Sequence, residues 1–166
     1  MSIDIDELIR LGESGDVEAL FEIASRYEDG DGVGRNYQKA VFWYMKAASL
    51  DSADAAFQLG GLYETDDFSG HDVSKAVNWY KTAVEMGSCE AAFCLGTLYE
   101  YGEEISKNIP EAVKWYRISS ERGDYEAKAQ LLRLYKKYRA IPKEEALSLS
   151  IEGWRSLLNI FKRKNK

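Results

Sequence analysis

Apolar residues in this chain recur at helical spacing in short runs, and the runs themselves recur. One run comprises Ala55, Ala56, Leu59, Leu62 and Tyr63; after a polar loop a second comprises Ala76, Trp79, Tyr80, Ala83 and Val84. Both follow the i, i+3, i+4, i+7 rule, which predicts two amphipathic helices, each with one apolar face. The pair returns every 36 residues. Ala19, Ala55, Ala91 and Ala127 share a register, as do Tyr27, Tyr63, Tyr99 and Tyr135; so do Trp43, Trp79 and Trp115, each followed by Tyr44, Tyr80 or Tyr116. One helix pair cannot bury both apolar faces alone, so a fixed period of this size predicts stacked units that cover one another.

Helix starts carry their own signal. Asp16, Ser52, Ser88 and Asp124 precede the first helix of each unit, and Asn36, Asp72 and Asn108 precede the second. These side chains accept hydrogen bonds from the unpaired N–H groups of a first turn. The organisation predicted is one domain: a capping helix over 3–14, repeats over 15–50, 51–86 and 87–122, a degenerate repeat over 123–152, and a C-terminal helix with a basic tail over 153–166. Pro142 suits a first helical position. Leu147, Ile151, Trp154, Leu158 and Phe161 form one helical stripe, either in one long helix or in two segments broken near Gly153.

The pattern A-x-F-x-L-G-x-x-Y, a short loop, then K-A-V-x-W-Y-x-x-A ending in Gly resembles the Sel-one-like repeat, a relative of the tetratricopeptide repeat. The second unit carries it at Ala55, Leu59, Gly60, Tyr63, Ala76, Trp79, Tyr80, Ala83 and Gly87, and the third at Ala91, Leu95, Gly96, Tyr99, Ala112, Trp115, Tyr116 and Gly123. The first departs at Ile23 and Ala24, where Leu-Gly is usual, and at Asp51, where Gly is usual. The fourth keeps Ala127, Leu131, Tyr135 and Ala146 but lacks the Gly and the Trp-Tyr pair. The resemblance implies an all-α fold: a right-handed α-solenoid of three to four helix pairs with capping helices at both ends, and the tryptophans largely buried between units.

Composition and charge narrow the function. No apolar run is long enough to span a membrane. The start, M-S-I-D-I-D-E-L, has neither the basic residues nor the apolar block of a secretory leader, so a cytoplasmic location is expected. Net charge is −6, and residues 153–166 hold five cations and no acid, leaving −11 for the rest. An acidic body disfavours nucleic acid and favours a basic protein surface.

Chemistry-bearing patterns are sparse. Cys89 and Cys94 stand five apart in one predicted helix. That spacing puts them on different faces and roughly 8 Å apart, beyond disulfide reach. The secreted, disulfide-stapled branch of the family uses another spacing. His71 is the sole histidine and lies on a polar loop, which argues against a zinc site or a Ser-His-Asp arrangement. The loop E-D-G-D-G-V-G-R lacks the Lys-Ser/Thr of a phosphate loop and the terminal Glu of a calcium loop, so it reads as a turn. The expectation is no catalytic residue, no metal and no cofactor.

By likeness to the tetratricopeptide repeat, the first helices line the concave side. Their variable positions are Glu18, Phe21, Ser25 and Glu28; Asp54, Phe57, Gly61 and Glu64; Glu90, Phe93, Thr97 and Glu100; and Glu126, Ala129, Arg133 and Lys136. An aromatic row between acidic rows is the make-up of a recognition groove. The expected function is a non-catalytic module that binds a basic protein or peptide there; a sharper form is a bacterial immunity protein that blocks a toxin. The alternative is a scaffold or adaptor using its convex face or C-terminal helix, and a hydrolase ranks last.

Overall fold

The computed structural model describes residues 4–138. The second helix of the degenerate repeat, the C-terminal helix and the basic tail fall outside the described residues. Every regular element among them is an α-helix: α1 (Ile5–Glu13), α2 (Val17–Asp29), α3 (Tyr37–Ala48), α4 (Ala53–Glu64), α5 (Val73–Glu85), α6 (Cys89–Tyr101), α7 (Ile109–Glu121) and α8 (Tyr125–Tyr138). The chain divides into two compact units, Met1–Leu95 and Gly96–Lys166. In the first, α1 packs on α2, α2 on α3, α3 on α4 and α4 on α5; in the second, α7 packs on α8.

All seven cap residues named from the sequence act as caps. Asp16, Asn36, Ser52, Asp72, Ser88, Asn108 and Asp124 each accept from the backbone N–H three residues on, at 2.9–3.3 Å. The loop inside each pair is tied by one further bond. The N–H of Asn36, Asp72 and Asn108 donates to the carbonyl of Tyr27, Tyr63 and Tyr99, at 2.6, 2.8 and 2.8 Å. Cap and tie together fix where the second helix starts relative to the end of the first.

The core lies between the two helices of a pair. Tyr44, Tyr80 and Tyr116 are almost wholly buried, along with Ile23, Leu59 and Leu95. Their rings need a small residue on the first helix. A β-carbon added at Gly60 would stand 2.4 Å from the Tyr80 ring, and one at Gly96 would stand 2.6 Å from that of Tyr116. Both rings are themselves buried, so a side chain larger than hydrogen there would force them to shift, which is the physical content of the Leu-Gly signature. The first pair has Ala24 there and still buries Tyr44 fully.

The tryptophans differ from expectation at one position. Trp43 and Trp115 are buried, whereas Trp79 is only half-buried. Lys46 lies over the Trp43 ring at 4.5 Å and Lys114 over Trp115 at 4.7 Å. Trp79 has Asn78 and Thr82 at the corresponding positions, so neither supplies it a lysine.

Adjacent pairs are joined by a tight turn in the left-handed region. Gly15, Gly87 and Gly123 sit at φ 95°, 111° and 104°, and at the same register Asp51 is held at φ 63°. A side chain there carries a steric penalty that glycine escapes. Asp51→Gly is therefore expected to stabilise the chain by about 0.5–1 kcal/mol, read as a higher urea midpoint at unchanged m-value; an unchanged or lower midpoint contradicts the strain.

Candidate functional site

The last turns of α2, α4 and α6 carry Glu28, Glu64 and Glu100, and a tyrosine sixteen residues on reaches each. Tyr44 O–H donates to Glu28 Oε2 at 2.8 Å, Tyr80 to Glu64 at 2.8 Å and Tyr116 to Glu100 at 3.2 Å. The helix-to-helix packing just described fixes this geometry, because the ring lies on the small residue and its hydroxyl emerges beside the carboxylate.

The three clasps differ in environment. Glu28 is half-buried; loss of hydration raises its pKa, and the Tyr44 hydrogen bond only partly offsets that. Tyr44 and Tyr80 are pushed far above the usual phenol range, first by burial and then by neighbouring negative charge. Glu64 is exposed. The Cys94 thiol, beside Tyr80, is pushed up to about 11, chiefly by burial with Glu64 adding to it. Glu100 is 3% exposed. Besides Tyr116 it holds Arg133, whose Nη2 lies 2.5 Å from Oε1 and 2.6 Å from Oε2, and Arg133 Nε donates to Gln130 at 2.7 Å. Burial lifts Tyr116 to about 12.

The residues named from the sequence divide accordingly. Glu18, Asp54, Gly61, Glu64 and Glu90 are exposed. Ser25 O–H donates to Asp29 at 3.3 Å. The Glu90 carboxyl is held below the usual range, first by its own backbone N–H, and it also accepts from the Ser88 hydroxyl at 3.1 Å. Phe21 and Phe57 are half-buried, packed 5.2 and 5.8 Å from the Tyr44 and Tyr80 rings; Phe93 is half-buried as well. Thr97 Oγ1 lies 3.1 Å from the Tyr116 hydroxyl. Glu100 and Arg133 come together as an ion pair rather than as separate surface positions. Tyr44, Tyr80, Tyr116, Cys94 and Gln130 did not emerge from the helical pattern as partners of these carboxylates. The signal was a glutamate followed sixteen residues later by a tyrosine, three times over.

As chemistry, the clasps are oriented hydrogen-bond acceptors. Cys94, the thiol beside them, is protonated at neutral pH.

Helix pairs of fixed length, each closed by the same tyrosine–carboxylate bond, define an α-helical repeat protein of the solenoid class. The chain belongs to the Sel1 repeat family: the Sel1 repeat matches residues 17–52, 53–88 and 89–124. Among solved structures it is similar to c5321, a protective antigen of uropathogenic Escherichia coli strains with an SLR fold (29% identity, TM-score 0.72), over 81% of this chain and 30% of that one. It is similar also to a Sel1 repeat protein from Oxalobacter formigenes (27%, TM-score 0.72), over 92% and 63%. Cysteine rich protein B of Helicobacter pylori shares the fold (24%, TM-score 0.59), over 78% and 98%. This chain thus spans less than two thirds of the first two proteins. No curated protein matches it. Cys89 and Cys94 form no disulfide, and no helix among the described residues is long and apolar enough to cross a membrane.

Arg133→Ala leaves a buried carboxylate with Tyr116 alone among the described residues, and is expected to lower stability by about 2 kcal/mol. A urea midpoint within error of wild type would remove Arg133 from the fold's support. For Cys94, a pKa of about 11 leaves on the order of one thiol in a thousand ionised at pH 8. A Cys89→Ser variant should therefore react with a disulfide reagent more than about tenfold more slowly than a small thiol; a rate equal to the small thiol's contradicts the burial.

Proposed function

We propose that this chain is a binding module for a protein or peptide with a basic surface. The contact surface is formed by the first helices of Met1–Leu95. The observation that carries the reading is that Glu18, Asp54 and Glu64 are exposed and none is paired with a cation among the described residues. Phe21 and Phe57 lie on the same helices, half-buried against tyrosines, so their rings are already ordered. Ordered aromatic edges on helices that carry carboxylates without a counter-charge offer apolar area at little entropic loss and a charge pattern that steers a cationic partner. A narrower form is an inhibitor of the immunity type, for which the captured partner would be an enzyme that loses activity in the complex.

A second reading rests on α3. Phe42 and Met45 are 52% and 46% exposed, and the same register holds Asn78 and Lys81 in α5 and Lys114 and Arg117 in α7. Apolar residues exposed in one unit alone fit a scaffold contact through a second helix.

Capture from a lysate of the native cell, with mass-spectrometric identification, separates the two. Glu18→Lys with Asp54→Lys is expected to weaken capture of the main partner about tenfold or more, whereas Phe42→Ser with Met45→Ser leaves it unchanged. The reverse outcome assigns the contact to α3.

A further inference from the structure

The third helix pair already shows how its clasp receives a cation. Glu100, oriented by Tyr116, takes the guanidinium of Arg133 on both carboxylate oxygens, and Gln130 steadies the arginine. The chain repeats with a period of 36, so the position that Arg133 holds relative to Glu100 is held relative to Glu28 by Gly61. Gly61 is exposed, and a β-carbon built there meets only the Tyr80 hydroxyl, at 3.9 Å. Gln58 stands where Gln130 stands in the third pair. By register, the first clasp therefore has the tyrosine and the carboxylate in place, a glutamine at the position of Gln130, and no side chain where the arginine would begin.

Resting on the binding-module reading, we propose that the Glu28–Tyr44 clasp is a receptor for an arginine side chain of the partner, supplied in trans where Arg133 supplies it in cis. Tyr44 occupies Oε2 of Glu28, and no cation among the described residues pairs with that carboxylate. Burial already disfavours its charge, so an incoming guanidinium relieves a strain that an exposed carboxylate does not have. A guanidinium fits better than an ammonium, because its planar donors can meet the carboxylate and the Gln58 amide together. The class of ligand is thus a peptide or protein segment with an accessible arginine, not cations in general.

The test uses the whole chain and a terminally blocked, fluorescent hexa-arginine peptide, with hexalysine and hexacitrulline peptides beside it, followed by anisotropy. Wild type should bind the arginine peptide about fivefold or more tightly than the lysine peptide, and the citrulline peptide not measurably. Glu28→Gln keeps an acceptor for Tyr44 but removes the charge, and should weaken arginine-peptide binding about fivefold. Gly61→Arg should do the same by filling the place from within. Gly61→Ala leaves that place open and should bind as wild type. Asn78→Arg adds an equal charge on exposed α5 and should fall well short of the Gly61→Arg effect. Circular dichroism and urea unfolding establish that each variant is folded; if Glu28→Gln is not, the three Gly61 and Asn78 variants still decide. Equal binding by Gly61→Arg and Asn78→Arg, or equal binding of the lysine and arginine peptides, overturns the receptor. If lysate capture is then still lost on Glu18→Lys with Asp54→Lys, the wider module reading stands without it; capture indifferent to those reversals removes the wider reading as well.

Discussion

Three tyrosine hydroxyls, each donated to a glutamate at the end of the preceding helix, set the terms for the rest of this structure. The ring passes close against the first helix as its hydroxyl reaches the carboxylate, and Gly60 and Gly96 leave it the room. The loop must return the chain at one height, and the bonds from Asn36, Asp72 and Asn108 to the tyrosine carbonyls hold that height. The caps then start each helix in phase. Each local device in a repeat therefore serves one placement, the second-helix tyrosine over the first-helix small residue, and local and global preferences agree.

A buried donor that satisfies a buried acceptor stabilises only modestly, but leaving either alone is expensive. That asymmetry explains why the three carboxylates differ in kind. Glu100 is the most deeply buried and has recruited a full counter-charge in Arg133. Glu64 keeps contact with water. Glu28 lies between: partly buried, held by one hydroxyl and without a cation among the described residues. A repeat protein can hold the same backbone arrangement and still offer different electrostatic environments: the residue 33 positions on from Glu28 is Gly61, and from Glu100 it is Arg133.

Much of the frame was legible in the sequence. The period of 36 fixed the helix pairs, the cap residues marked every helix start after α1, and the apolar registers named the core. Two kinds of feature were not legible from those patterns. Helical spacing reports which face of a helix is apolar, but it does not report that a polar residue at the face's edge is bonded across to another helix. Glu28, Glu64 and Glu100 thus read as one acidic row, although Glu100 is neutralised by Arg133. Nor does spacing report how long side chains drape. Trp43, Trp79 and Trp115 share a register, yet among the described residues a lysine lies over the first and third and not the second. Asp51, which departs from the glycine at its register, was visible as an exception before its left-handed backbone gave the reason.

The account stands on coupling between the tyrosine hydroxyl and the carboxylate it holds. A double-mutant cycle of Tyr44→Phe and Glu28→Ala, followed by urea unfolding at neutral pH, measures that coupling directly. The two substitutions should be non-additive by about 1–2 kcal/mol, since removing either partner leaves the other without its bond. Additivity within about 0.3 kcal/mol would mean that the hydroxyl and the carboxylate merely lie side by side, and the clasp would no longer explain the frame.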